Sequence, residues 1–204
     1  QRLEDKYNGL NYPEAGFIKG TVYAGRPFDP KNGTVSTTSS DVLIPAFIAA
    51  YSGKDAKSVN LNPFPGLSSI LPNWRMTYDG LSKLPFFMKY FKSFTLSHAY
   101  QCTYSVGSFS SYSDWVAVGD GIGFSQDALS GNPCPSSPYN ISSVTITEKF
   151  APLIGVNATM NNNITFNAEY RDARTLSLNS SAGQLVETST KSFVIGAGYK
   201  IANF

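Results

Sequence analysis

Val144-Thr145-Ile146-Thr147-Glu148-Lys149-Phe150-Ala151-Pro152-Leu153-Ile154-Gly155-Val156-Asn157-Ala158-Thr159-Met160 is the stretch that decides the fold. Its even positions are mostly apolar and its odd positions mostly polar. Period two is the signature of a β-strand, because successive side chains leave opposite faces. Asn161-Asn162-Asn163 follows as a tight-turn signal. Ile164, Phe166, Ala168 and Tyr170 then alternate with Thr165, Asn167, Glu169 and Arg171, and Leu176 and Leu178 resume the apolar side after Asp172 and Arg174. Asn179 to Gly183 reads as a second turn. The last strand sets Phe193, Ile195, Ala197, Tyr199 and Ile201 against Val194, Gly196, Gly198 and Lys200.

Length bears on which solvent the apolar face meets. Strands of roughly 12 to 17 residues are long beside the usual five or six of soluble domains. A tilted membrane strand needs about 9 to 11 residues for the hydrocarbon, and extra length projects beyond it. Asp172 and Arg174 on the apolar side fit a rim position, where charge is cheap. The pattern therefore predicts an all-β, antiparallel transmembrane barrel segment. The competing reading is a large soluble β-sandwich: a secreted adhesin or sugar-binding module with Trp115 and the tyrosines as its platform.

Composition agrees with strands. Charged residues are 15% and aromatics 14% of the 204 residues, a mix that favours β structure over helix. A net charge of +2 is too small to argue for nucleic acid or an acidic substrate. No apolar run approaches the roughly 20 residues of a membrane helix; Val42 to Tyr51 is short and contains Pro45. Gln1 opens the chain without an initiator Met or signal peptide, which is expected of a segment from inside a longer polypeptide, or of a secreted domain whose signal has been removed.

No cofactor, metal or catalytic residue is expected. His98 is the only histidine, and no ligand lies at zinc spacing from it. Cys102 and Cys134 make a disulfide possible without establishing one. An enzyme needs a nucleophile, a base and an orienting group; no Gly-x-Ser-x-Gly elbow is present. Glu148, Glu169 and Asp172 read as pore or rim charges.

A fourth strand runs from Phe94 to Val106, with His98 and the tyrosines suited to an interfacial belt. Residues 107–140 form a long connection rich in Ser, Gly, Asp and Pro, expected on the outer side of such a barrel, with the short 161–163 turn in the periplasm. The first part, 1–72, is irregular: Phe17 to Ala24 looks like a strand, and 41–51 like a short helix with Ser40 or Asp41 as N-cap, Pro45 near its first turn and Gly53 as stop. Asn60 to Pro72 reads as an extended crossing. Asn73 to Tyr78 is a further strand, within a strand-bearing region 73–106. Leu84 to Lys92 is an aromatic cluster with two lysines, either an interfacial turn at the inner membrane surface or a buried hairpin. About five or six long strands result, fewer than the eight or so of the smallest closed membrane barrels. Lipid tolerates no open edge, so the chain either assembles with copies of itself or is a slice of a much larger barrel.

Specific strings add to this. The run Leu71 to Phe87, with Trp74, Arg75, Thr77, Tyr78 and Gly80, resembles a segment of the SprA (Sov) family of Bacteroidota. So do Phe94 to Tyr100, the blocks Ile141 to Ile146 and Phe150 to Val156, and the ending Phe193 to Phe204. The resemblance spans roughly residue 40 to the end. It implies the C-terminal part of the type IX secretion translocon, a single-chain outer-membrane barrel of about 36 strands that passes folded cargo and supports gliding motility. It implies as partners the rest of the same barrel chain, a PorV-like companion barrel, a periplasmic plug protein, exported cargo and outer-membrane lipid, with no nucleic acid. The C-terminus would be periplasmic, and Gly198, Tyr199, Ile201 and Phe204 would form an assembly signal. Phe204 shares parity with Lys200 and Ala202 rather than with Tyr199 and Ile201, which a bulge would repair.

Overall fold

The computed structural model describes residues 2–30, 37–55, 58, 59, 64, 72–119 and 121–201. They divide into two compact units: residues 1–66, 105–144 and 177–185 form the first, and residues 67–104, 145–176 and 186–204 the second. Ten strands and three α-helices are present among the described residues. The chain is mostly β, as the alternation predicts, but it carries three short helices rather than one.

The second unit is built on one five-stranded antiparallel sheet, in the order β1 (Trp74–Tyr78), β2 (Phe91–Val106), β8 (Ser143–Met160), β9 (Ile164–Asn179) and β10 (Gln184–Tyr199). The strands β2, β8, β9 and β10 also supply residues to the first unit. β1 pairs with β2 antiparallel, Trp74 opposite Tyr100 and Tyr78 opposite Leu96. The β8–β9 hairpin turns at residues 161–163, where Asn163 adopts a φ of 66°, a left-handed value that Asn tolerates better than most residues. The sheet ends at β1 on one side and β10 on the other, so the described residues form no closed barrel. Four strands of 16 to 18 residues agree with the long strands of the sequence reading, whereas the expected five or six long strands are not reached, since β1 has only five residues.

Three features of this unit refine or correct expectation. β2 begins at Phe91, three residues early. β10 begins at Gln184, directly after the expected 179–183 turn, but alternation is legible only from Phe193, because hairpin pairing with β9 carries the ladder through the polar run Glu187-Thr188-Ser189 without an apolar face to signal it. Leu84 to Lys92 is neither a bare turn nor a buried hairpin: a 3₁₀ turn (Gly80–Lys83) leads into helix α3 (Pro85–Tyr90), with Pro85 in the first turn where its missing N–H costs nothing.

The first unit holds a conventional core. Tyr7, at the end of helix α1 (Arg2–Tyr7), packs with Tyr12, Ile18, Phe28 and Phe124, all under 9% exposed. Tyr7, Tyr12 and Phe28 each meet Phe124 with ring centroids 4.9–5.8 Å apart in tilted or edge-on geometry, as ring quadrupoles prefer. The Tyr7 hydroxyl donates to the Gly123 carbonyl at 2.7 Å and accepts the Gly123 N–H at 3.1 Å, so its polar end is satisfied. Burial raises its pKa above the ordinary phenol value.

Phe17 to Ala24 is not a strand. Gly16 to Ile18 form a 3₁₀ turn, and Gly16 and Gly20 take φ of 55° and 80°. Those left-handed residues break extended pairing, and burial of Ile18 in the aromatic cluster fixes the turn. The 107–140 connection is not structureless either. It makes a two-stranded pair, β3 (Phe109–Ser111) with β7 (Tyr139–Ile141), and a three-stranded sheet of β4 (Val116–Gly119), β5 (Ile122–Gln126) and β6 (Pro133–Ser136).

Helix α2 spans Ser40–Ser52, so its N-cap is Ser39 and not Ser40 or Asp41; Gly53, at φ 63°, ends it as expected. Pro45 is therefore one or two residues deeper in the helix than the sequence suggested. Asp41 leaves the capping role and accepts the Ser137 N–H at 3.2 Å. Desolvation by burial raises the Asp41 pKa, against the lowering pull of its hydrogen bonds to Ser137. Most of the expected crossing 60–72 lies outside the described residues, as do Phe204 and residues 202–203. Cys102 and Cys134 are not joined by a disulfide.

Candidate functional site: a sheet with one apolar and one polar face

The sheet of the second unit is the candidate site, and its faces follow from parity. Tyr100 meets Phe150 at 4.8 Å between centroids, which puts the even positions of β2 and β8 on one face. Thr147 Oγ1 lies 3.4 Å from Thr175 Oγ1, so odd positions of β8 share a face with odd positions of β9. A Cβ built on Gly198 would stand 2.8 Å from Thr165 Oγ1, and one on Gly196 2.8 Å from Asn167 Oδ1. Odd β9 residues therefore share a face with even β10 residues. Phe193, Ile195 and Tyr199 accordingly join Phe166, Ala168 and Tyr170, Phe150 and Ile154, Tyr100 and His98, and Trp74, Met76 and Tyr78. One apolar face crosses all five strands.

That face is bare. Met76, Ile154, Phe193, Ile195 and Tyr199 are each 60–66% exposed. The opposite face is polar and small: Thr95, Ser97, Asn157, Thr165 and Asn167 lie there with Gly155, Gly196 and Gly198. The glycines on it have a steric reason, since a Cβ at Gly155, Gly196 or Gly198 would collide with Ser97, Asn167 or Thr165. Two shallow depressions open on it. One, at the β1 edge, is lined by Asn73, Arg75, Gln101 and Lys149, and the other by Thr95, Asn157, Thr165 and Asn167.

Charge interrupts the apolar face in mid-strand, and Val144, Ile146, Leu176 and Leu178 beyond it are buried. Tyr100 donates its hydroxyl hydrogen to Glu148 at 2.9 Å. Arg174 Nε pairs with Glu187 at 3.2 Å, both about half exposed.

No protein-family model and no curated protein matches the chain. Its functional reading rests on residues and geometry.

The residues singled out in the sequence fall into two groups at the two edges of this sheet. Trp74 stacks on Tyr100 (4.4 Å, 25°) and approaches His98 (6.2 Å); Arg75 and Thr77 point to the other face by parity. Gly80 is required by Tyr78: a Cβ there would lie 2.6 Å from Tyr78 Cζ. Gly198 faces Thr165 at the β10 edge, while Tyr199 and Ile201 are 66% and 60% exposed. The structure does not bring these two groups together, since β1 and β10 are opposite edges. Phe204 lies outside the described residues.

His98 sits among the aromatics as expected, its Nδ1–H donating to the Leu153 carbonyl at 2.6 Å. Two positioning residues escaped the sequence reading. Asn73 Oδ1 accepts the Cys102 N–H at 2.7 Å, tying the start of β1 to β2. Asn161 Nδ2 donates to the Lys89 carbonyl at 2.9 Å and its N–H to the Tyr90 carbonyl at 3.0 Å, closing the end of α3. The Asn run signals a turn; nothing in sequence tells that it caps a helix seventy residues earlier.

Proposed function

We propose that this chain is the C-terminal part of a much larger outer-membrane β-barrel, that of a protein-conducting translocon of the type IX secretion system, exporting folded cargo and supporting gliding motility. The observation that carries the membrane reading is the apolar face, exposed on β1, β8, β9 and β10, backed by a mostly polar and small-residue face. Lipid covers the first and pore water the second. No helix of the described residues is long and apolar enough to cross a membrane, and strands of 16 to 18 residues exceed the roughly 9 to 11 that a tilted crossing requires.

Among the described residues the outer sides of β1 and β10 have no strand partner, which supports the slice. Within lipid each backbone group needs a partner, so further strands of the same barrel chain flank both edges. The residues 161–163 turn is then periplasmic, the 107–142 connection outer, and the chain end after Ile201 periplasmic. The translocon assignment rests on the Trp74 to Gly80 string and the C-terminal string, which resemble the SprA family. Its companion barrel, plug and cargo follow as partners. The chain's residues do no chemistry in this reading: Ser, Thr, Asn and Gly offer cargo a hydrated wall.

Extraction tests the membrane part. The native full-length protein should remain in carbonate-washed membranes, need detergent for release and change gel mobility on heating; a water-soluble monomer contradicts it and favours the sandwich. Gene deletion tests the transport part, with surface delivery of secreted cargo lost. Normal delivery contradicts it.

A further inference from the structure

The 80–92 connector carries features that a barrel wall does not require. Helix α3 leaves Leu84, Phe86, Met88 and Tyr90 between 44% and 68% exposed. Its position is nevertheless fixed. Phe87 packs on Phe94 of β2 at 4.8 Å, Asn161 holds the last helical carbonyls, and Lys92 Nζ donates to Asn163 Oδ1 at 2.5 Å. A pinned segment that shows large apolar side chains outward has a surface to meet.

Charge says which surface. The residues at this end of the sheet include Lys83, Lys89, Lys92 and Lys200 against the single carboxylate Asp79 among 79–92, 157–167 and 196–201. The opposite end mixes Glu148, Asp172 and Glu187 with Arg174 and Lys191. Lys89 Nζ lies 5.6 Å from the Tyr90 ring centroid, a pairing of apolar body and cationic tip that suits a headgroup boundary. Phe87 joins the connector to Phe91 and Phe94 at the start of β2, which leaves the outward side chains and the lysines beside them free to meet one surface.

We propose that the connector is a binding site for anionic phospholipid of the inner leaflet, with Leu84, Phe86 and Met88 entering the acyl boundary and Lys83 and Lys89 holding headgroup phosphate. This rests on the barrel reading and deepens it. Juxtamembrane lysines each contribute measurably at an anionic surface, and two of them give a preference of about tenfold or more. Lys92, engaged with Asn163, positions the turn.

The test uses the full-length barrel chain in nanodiscs, with Phe86→Trp as fluorescent reporter and the unsubstituted protein as background. Brominated-acyl phosphatidylglycerol, diluted in unlabelled phosphatidylcholine, should quench the reporter several-fold more than brominated phosphatidylcholine at the same fraction. Lys83→Gln with Lys89→Gln should remove the difference while heat-modifiable gel mobility stays. Equal quenching by both lipids in the reporter protein overturns the headgroup site. So does absent quenching in a properly embedded barrel, the outcome expected if a protein covers the connector. A chain that fails to enter nanodiscs at all refutes the barrel reading instead.

Discussion

The two units of this chain put the same residue types to opposite use. In the first, Tyr7, Tyr12, Phe28 and Phe124 turn inward and fall to 8% exposure or less. In the second, Tyr78, Phe193 and Tyr199 turn outward at 56–66%. Both are well ordered by backbone pairing, so poor folding does not explain the difference. Burying a large apolar side chain is worth about 1.5 to 3 kcal/mol. Eight or so such groups left about half exposed forgo on the order of 10 kcal/mol, as much as the net stability of an ordinary domain. The first unit buries these rings within itself; the second leaves its rings outward, where the proposed barrel would cover them with lipid.

Substitutions that reverse this logic in each unit sharpen the contrast. Phe124→Ala removes the ring at the centre of the first unit and should cost about 3 to 5 kcal/mol, read as loss of protease resistance in residues 107–140. Ile195→Arg on the apolar face should cost about 2 to 4 kcal/mol of barrel stability in bilayers, read by urea titration of the heat-modifiable band. Val194→Arg, one residue away on the polar face, should stay within about 0.5 kcal/mol. Equal effects at 194 and 195 would erase the two-faced sheet.

Asp41 gives the first unit a pH dependence. Its folded pKa is raised by burial, so its protonated form is favoured by folding. Stability is therefore greatest below the unfolded carboxylate value of about 3.9 and declines as pH rises from there through the raised folded value. Asp41→Asn keeps an acceptor for the Ser137 N–H and should flatten that decline, measured by amide exchange at Ser137 across pH. A small effect is expected at the Arg174–Glu187 pair: Arg174→Ala breaks a half-exposed contact and should change stability by less than about 1 kcal/mol.

The legible parts of the fold were those where one physical signal dominates. Alternation placed β8, most of β9 and the outer half of β10, because their apolar and polar side chains fall on opposite faces of one sheet. It failed at Gln184 to Ser192, where the ladder continues through residues of similar polarity. It also misled at Phe17 to Ala24, whose strand-like composition is overruled by Gly16 and Gly20 and by burial of Ile18. The faces of the sheet were readable from parity; the pinning of α3 by Asn161 was not, since it joins residues 89 and 161 through tertiary structure. The first unit's aromatic core was invisible for the same reason: Tyr7 reaches Gly123 across 116 residues.

The central claim is that the 193–199 row meets lipid on one side and water on the other. Spin labels placed singly from residue 193 to 199 in the full-length chain, reconstituted in bilayers, test it through collision with oxygen and with a water-soluble nickel complex. The account predicts a period of two, with 193, 195, 197 and 199 accessible to oxygen and 194, 196 and 198 to nickel. Uniform nickel accessibility along the strand would contradict it.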